Sequence, residues 1–453
     1  MRTVHAEKVL NRIRIDPIYF SQFVMGGDAP WRMQREIMRS VCEFPRTAVH
    51  TGHAVGKTWI AARVALWFLN AFKPSKVVTT APTFRQVKRL LWGEIRKQYR
   101  SSKHGLLGSL LPEAPGLHIA DDWWAEGWST TEPEKFQGVH SPNLLIIFDE
   151  APGIPEPIWI AALSCMTSAN SKILLIGNPR QKGDMFHKAC VSSEYNVIHI
   201  PCGHTPNVSA GRIVNPALVT AQWIEDRKRD WGEGTTLYQA RVEGLFPDET
   251  KDTLVTLGMT ENAKAVEAAR GERHVGVDLA RYGSDTSRAV LWEDRYLSAS
   301  SRWQGQDLMA SVGRIRAFAD DYKVPHGNIH VDAVGLGAGA VDRLREQGWP
   351  VDGVDSGAGP DGICGEIKCR NLRAELYWHL RMMLQQGTMG GDPVLLDELA
   401  ADVTNMKYKF GSDGSLIIES KDEIKKRLGR SPDFADACVY GLRRGPKYEP
   451  KVF

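Results

Sequence analysis

The chain has 453 residues, 42% apolar and 25% charged, which is the composition of a globular protein too long for one ordinary core, so two domains are expected. A net charge of +3 excludes a strongly basic global field, and any affinity for nucleic acid must come from local basic faces. Seven scattered cysteines without a C-x-x-C pair exclude a disulfide frame and a zinc ribbon and imply a reducing compartment; no stretch has the length of a membrane span, and Met1 to Asp16 lacks the apolar core of a signal segment.

In chain order, Pro30 to Met38 reads as a helix with Trp31, Ile37 and Met38 available for burial. Gln34 on that helix carries an amide able to meet adenine with one donor and one acceptor, and a surface glutamine has the same sequence appearance. An apolar run, Thr47 to Val49, then leads into T-G-H-A-V-G-K-T, Thr51 to Thr58, and into Trp59 to Leu69, rich in Ala, Val and Leu at helical spacing. Strand, glycine loop and helix in that order form a phosphate cradle: backbone N–H groups turn inward between Gly52 and Gly56, and the helix N-terminus adds its positive dipole end. Lys57 is placed to reach the outer phosphates and the Thr58 hydroxyl to complete a Mg²⁺ shell. One departure stands out, since Thr51 occupies the place where the usual pattern has its first glycine.

Lys76 to Ala81 is a second strand, followed from Pro82 to Arg100 by a helix carrying Arg85, Lys88, Arg89, Arg96, Lys97 and Arg100. That face suits nucleic acid or plain water equally well. Ser101 to Gly127 has no clean period and reads as an insertion with short strands. In Asn143 to Glu150, N-L-L-I-I-F-D-E, five apolar residues end in two acids, which describes a strand buried on both faces with carboxylates at its ligand-binding end. Asp149 would hold Mg²⁺ through water and Glu150 would activate the attacking water. A further strand, Lys172 to Ile176, stops at Gly177-Asn178-Pro179-Arg180; Asn178 there can sense the γ-phosphate, although Gly-Asn-Pro is also good turn chemistry. Strands that each lead to a helix predict a doubly wound, mostly parallel α/β sheet.

From Val208 to Asp252 the character changes, with a charged helix over Pro216 to Asp230 that includes Arg227 to Arg229, and another helix ending in Gly and Pro near Asp248. Cys202 with His204 reads as structural. A new domain begins near Arg273. His274 to Asp278 is a strand ending in an acid, Arg288 to Trp292 a second β run, and Asn328 to Asp332 another strand ending in an acid before G-L-G-A-G. Ser431 to Tyr440 starts a helix whose Asp433 and Asp436, three apart, share a face. Such carboxylates can enclose a pair of divalent cations about 4 Å apart, and oxygen ligands alone favour Mg²⁺ or Mn²⁺. Asp285 is assigned to the turn after the first strand. The run Lys421, Lys425, Lys426, Arg427 and Arg430 is placed near DNA, its charges meeting phosphates without reading bases.

The set T-G-H-A-V-G-K-T, T-A-P-T-F-R-Q-V, F-Q-G-V-H-S-P-N-L-L-I-I-F-D-E-A and L-L-I-G-N-P resembles the ATPase half of the large terminase subunit of tailed bacteriophages. The resemblance runs from about Pro30 to Tyr440. It implies an N-terminal P-loop ATPase over 1–207, a linker over 208–270 and a C-terminal ribonuclease H-like nuclease over 271–453. On that pattern Lys57 and Thr58 bind ATP with Mg²⁺, Asp149 is the metal-holding acid, Glu150 the catalytic glutamate, Gln34 the adenine contact and Gly177 to Pro179 the coupling motif. An arginine finger is also implied, with Arg85, Arg89, Arg96 and Arg100 all available. Asp278, Asp332 and Asp433 become ligands of Mg²⁺ or Mn²⁺ in the nuclease, with Asp436 an alternative or additional one. The implied partners are double-stranded DNA, the procapsid portal, a small terminase subunit and further copies in a ring, with a monomer in solution, no membrane, and a place in the cytoplasm of the infected host and transiently on the procapsid. A helicase-like repair ATPase with a nuclease, or a nucleotide-dependent scaffold without catalysis, are the rival readings.

Overall fold

The computed structural model describes residues 2–268, 271–280, 286–365 and 367–443, apart from side chains at 2–8, 137 and 428. Asp285 lies outside the described residues. The chain divides into two units: one runs up to Arg227 and takes in Gln239–Pro247, and the other holds Lys228–Tyr238 and the chain from Asp248 on. Among the described residues no helix is long and apolar enough to cross a membrane.

In the first unit the apolar runs become strands β1 (Arg46–Thr51), β2 (Lys76–Thr80), β3 (Ser109–Leu110), β4 (Gly116–Ala120), β5 (Trp123–Trp128), β6 (Asn143–Asp149), β7 (Asn170–Gly177) and β8 (Asn196–Ile200), in the order β3-β4-β5-β2-β6-β7-β1-β8. From β5 to β8 every neighbouring pair is parallel, and β3 and β4 extend that sheet antiparallel on the β5 edge. Leu144 to Phe148 are at most 1% exposed, because helices cover both faces. The helix Lys57–Ala71 packs on one face among Val64, Trp67 and Phe68, and the helix Glu156–Ser164 on the other with Ile158 and Trp159 against Phe148. Each of these large side chains contributes roughly 1.5–3 kcal/mol by leaving water. The basic stretch after β2 is helical as expected from Phe84 to Arg100, with a π turn at Val87–Leu91.

The second unit is built on β9 (Arg273–Asp278), β10 (Ser287–Glu293), β11 (Tyr296–Trp303), β12 (Ile329–Asp332), β13 (Asp352–Val354) and β14 (Gly390–Gly391), ordered β13-β12-β9-β10-β11-β14. β9, β10 and β11 form an antiparallel meander, while β12 pairs parallel to β9 and β13 parallel to β12. This order and these senses are those of a ribonuclease H-like sheet. The helix Asp433–Gly441 lies against β9 so closely that a Cβ at Gly276 would stand 2.0 Å from the Ala437 carbonyl oxygen. The opposite face is covered by the helices Leu308–Asp321 and Leu336–Glu346.

Candidate functional site

Parallel strands put their C-terminal ends on one edge, so the loops after β1, β6 and β7 meet although they are far apart in sequence. The phosphate-cradle motif fills the turn after β1. Gly56 sits at φ +84, a conformation that suits glycine. Gly52 is glycine for a different reason: a Cβ there would stand 2.6 Å from the Cys202 sulfur and 2.7 Å from the Val242 carbonyl. Thr51 is a buried strand residue whose carbonyl accepts from the Asn178 amide at 2.6 Å. A glycine is therefore needed one place later than the usual pattern has it.

Lys57 Nζ donates to Asn178 Oδ1 at 2.6 Å and lies 3.4 Å from Glu150 Oε1. One side chain thus ties the glycine loop to the ends of β6 and β7. Asp149 is 3% exposed, and its Oδ1 makes no hydrogen bond. Burial, then the neighbouring Glu150 charge, pushes the Asp149 carboxyl up to about 7, against Lys57 and the Thr58 hydroxyl. Burial also opposes ionisation of Glu150, yet the charges of Lys57, Arg180 and Arg241 together hold its carboxyl below the usual range. Glu150 itself stands at φ +52, a left-handed conformation that a non-glycine residue adopts only when its surroundings impose it.

Gln34 lies directly behind the loop, 5% exposed. Its Oε1 accepts from the Trp31 N–H at 3.2 Å and its Nε2 donates to the Gly56 carbonyl at 3.3 Å. Beside it the Trp31 indole donates to the Val55 carbonyl at 3.3 Å, and a cavity of about 420 Å³ opens along Trp31, Glu36, His204 and Pro206. The segment Gln239–Pro247 closes the other side of the loop. His53 N–H donates to the Arg241 carbonyl at 2.7 Å, and the stacked rings of His50 and His199, 4.6 Å apart, donate to the carbonyls of Gly244 and Glu243. Cys202 is structural as expected, its thiol directed at the His53 carbonyl.

Of the arginines named from sequence, Arg96 donates to the Ala114 carbonyl, and Arg85, Arg89 and Arg100 are exposed. The arginines whose charges act most strongly on Glu150 are Arg180 and Arg241. Arg180 follows Asn178 by two positions and was within reach of sequence reasoning; nothing local marks Arg241, which stands 91 positions after Glu150.

In the second unit Asp278 ends β9, Asp332 ends the adjacent parallel β12, and Asp433 and Asp436 lie on the first turn of the helix packed against β9. The structure therefore gathers all four predicted aspartates. Burial, and the crowding of Asp436, Asp433 and Asp332, push the Asp278 carboxyl up to about 8 against the attraction of Lys421. Asp332 and Asp433 are likewise raised, in each case first by burial. Asp436 goes the other way: burial opposes its charge, but Lys421, Arg373 and the Tyr377 hydroxyl, which donates at 2.6 Å, hold it ionised.

Lys421, from the basic run expected near DNA, stands among these aspartates. Its ammonium stands 3.1 Å from Asp278, 3.6 Å from Asp433 and 3.1 Å from Asp436, and these charges outweigh burial and raise its pKa. In the same run Arg427 pairs with Glu419, and Arg430 with the buried Asp402. Three cations of the run expected near DNA thus also face carboxylates of the protein, which supply and receive counter-charge at this end of the sheet. Among the described residues no three His, Cys, Asp or Glu side chains are spaced to hold one ion; Asp278, Asp433 and Asp436 are gathered around an ammonium instead.

No family model matches the chain. In sequence it is 22% identical over 459 residues to the probable terminase large subunit of Enterobacteria phage P7, spanning 95% of this chain and 91% of that protein. Among solved structures it is similar to the large terminase of a thermophilic bacteriophage, with TM-score 0.43, 13% identity, and 90% of this chain and 97% of that one covered. It is also similar to the nuclease domain of the large terminase subunit gp2 of bacterial virus Sf6, with TM-score 0.37, 20% identity, and 43% and 100% covered.

Proposed function

We propose that this chain, which resembles the large terminase subunit of tailed bacteriophages, is an ATP-driven motor that moves double-stranded DNA into a procapsid and cuts concatemeric DNA with a metal-dependent endonuclease. The observation that carries this reading is the pairing, in one chain, of the Lys57–Asn178–Glu150 constellation on a P-loop with four gathered aspartates, two at strand ends of a ribonuclease H-like sheet and two on the helix packed against it. ATPase chemistry is assigned to 1–207, a connecting region to 208–270 and nuclease chemistry to 271–453.

The residues after β1 and β6 fit Mg²⁺ with ATP, since the buried Asp149 Oδ1 lacks a partner and lies on the acid that Thr58 also touches. Bound there, Mg²⁺ neutralises charge on the phosphates. Backbone N–H groups between Gly52 and Thr58 cradle the phosphates, and Lys57 exchanges Asn178 for a phosphate oxygen. Glu150, ionised and beside Lys57, takes a proton from the attacking water as its oxygen bonds to the γ-phosphorus and the bridging oxygen leaves with ADP. Asn178, bonded to both Lys57 and Thr51, is placed to register that change. The base lies in the cavity beside Trp31, and Gln34 supports the loop from behind it.

In the second unit the donor set is all oxygen, the chemistry that suits Mg²⁺ or Mn²⁺; Asp278, Asp332 and Asp433, with Asp436 as a further one, would hold it after drawing in from their spacing around the Lys421 ammonium. A divalent ion held there would supply Lewis acidity toward water and the scissile phosphate. Tyr377 and Arg373 keep Asp436 charged and oriented, and the Lys421 ammonium must yield its carboxylate contacts or share them. Partners proposed with this reading are duplex DNA, the portal, a small terminase subunit and other copies in a ring, with a monomer away from the capsid. The place of action is the cytoplasm of the infected host and, transiently, the procapsid.

The test is ATP turnover with duplex DNA and plasmid cutting by the purified protein in Mn²⁺, Mg²⁺ or EDTA, beside an Asp278→Asn variant. Turnover, together with metal-dependent cutting lost in the variant and no strand displacement, is expected. Strand displacement would move the reading to a helicase, absence of turnover to a scaffold, and absence of cutting with either metal would remove the nuclease.

A further inference from the structure

Glu150 is aimed by a turn that is unusually confined. Its carbonyl accepts from the Gly153 N–H at 3.1 Å, closing the short helix Ala151–Gly153, while Glu150 itself is held at φ +52. Three elements press on that helix. A Cβ at Gly177, the end of β7, would stand 2.5 Å from Pro152 Cδ and 3.2 Å from the Ala151 nitrogen. A Cβ at Gly153 would stand 2.5 Å from Pro82 Cγ and 2.9 and 3.0 Å from the two terminal nitrogens of Arg180. The Arg180 guanidinium therefore packs closely against Gly153, three residues beyond Glu150. Its charge also acts on the Glu150 carboxylate, so close packing and charge together keep the cation beside this turn.

We propose that Arg180 is a positioning residue for ATP hydrolysis: seated on Gly153, its guanidinium braces the left-handed turn that directs the Glu150 carboxylate at the attacking water. This rests on the ATPase reading above. It also gives the Gly177–Arg180 stretch a physical way to act on Glu150, since Asn178 on the same stretch bonds Lys57. A carboxylate freed from its brace would sample orientations away from the water, lowering turnover while leaving the phosphate cradle intact.

The experiment is DNA-stimulated ATP turnover and affinity for a fluorescent ATP analogue with wild type, Arg180→Ala, Arg180→Lys, Glu150→Gln and the double variant Arg180→Ala/Glu150→Gln, with thermal unfolding as a check on folding. Arg180→Ala is expected to lower kcat about 30-fold, the scale of a lost orienting contact, with analogue affinity and unfolding midpoint nearly unchanged. Arg180→Lys, which keeps charge without the plane, should recover part of the rate and keeps the test open if the alanine variant folds poorly. The double variant should be no slower than Glu150→Gln alone, because the arginine acts through the glutamate. An Arg180→Ala enzyme as fast as an active wild type overturns this inference alone, and so does a loss of analogue affinity equal to the loss in kcat/KM, which would make Arg180 a phosphate contact. A wild type that does not turn over ATP overturns the ATPase reading together with it.

Discussion

His50 shows how a single residue near the glycine loop carries a pH dependence. Burial, and then the neighbouring His199, lower its pKa against the hydrogen bond to Gly244. The unfolded chain, with its histidines near 6.5, therefore takes up a proton first as pH falls, and the stability contributed by neutral His50 is present above that value and lost below it. We expect the unfolding midpoint of the first unit to drop by about 3 °C between pH 7.5 and 5.5, and the drop to shrink in His50→Asn, which keeps a donor for Gly244 without a titrating ring. An unchanged slope in the variant would assign the dependence elsewhere. Lys421 makes the second prediction at this scale. Because its ammonium shares carboxylates with any incoming cation, Lys421→Met should bind Mn²⁺ about tenfold more tightly, about 1.4 kcal/mol, by calorimetry. Equal affinity would mean that the ammonium gives way at no cost.

At the scale of elements, the packing of the helix Asp433–Gly441 on β9 is what brings Asp433 and Asp436 to Asp278. The approach depends on Gly276, where a Cβ would meet the Ala437 carbonyl oxygen at 2.0 Å and the Gly441 nitrogen at 2.4 Å. Both neighbours are backbone and cannot step aside. Gly276→Ala should cost about 3 kcal/mol, the upper range for overpacking, in denaturant unfolding of the second unit, and should lower metal-dependent cutting as the helix backs away. A variant with unchanged stability would show that the helix has room to shift. The sequence showed the helix and the strand but not this contact: G-V-D after a valine looks like any buried strand, and only the facing backbone makes glycine compulsory. The basic run after Ser420 behaves similarly. Its capping box, Ser420 with Glu423, is visible locally, whereas the carboxylates that take up Lys421, Arg427 and Arg430 come from other elements as well as from nearby in the chain.

For the whole molecule, each constellation is complete within one unit: Gly52 to Thr58, Asp149, Glu150 and Asn178 in the first, and the four aspartates with Lys421 in the second. Sites that share no residue or partner act independently to first order. Glu150→Gln should therefore leave plasmid cutting within about twofold of wild type, and Asp278→Asn should leave ATP turnover within about twofold. Loss of cutting in Glu150→Gln would show that the nuclease is governed by the nucleotide cycle.

By itself the sequence determined the strand–loop–helix around Lys57, the acids closing β6, β9 and β12, the pair on the last helix and the α/β class. Those features are local: glycine, apolar runs and a terminal carboxylate at fixed spacing state both the element and the end of it that carries chemistry. Tertiary structure alone decided which cations face those acids. Arg180 and Lys421 lie in stretches that the sequence singles out and Arg241 does not, but in none of the three does a local pattern say which carboxylate the cation meets. Their roles follow from which strand ends the parallel sheets bring together, and from the need of every buried carboxylate for a counter-charge within reach.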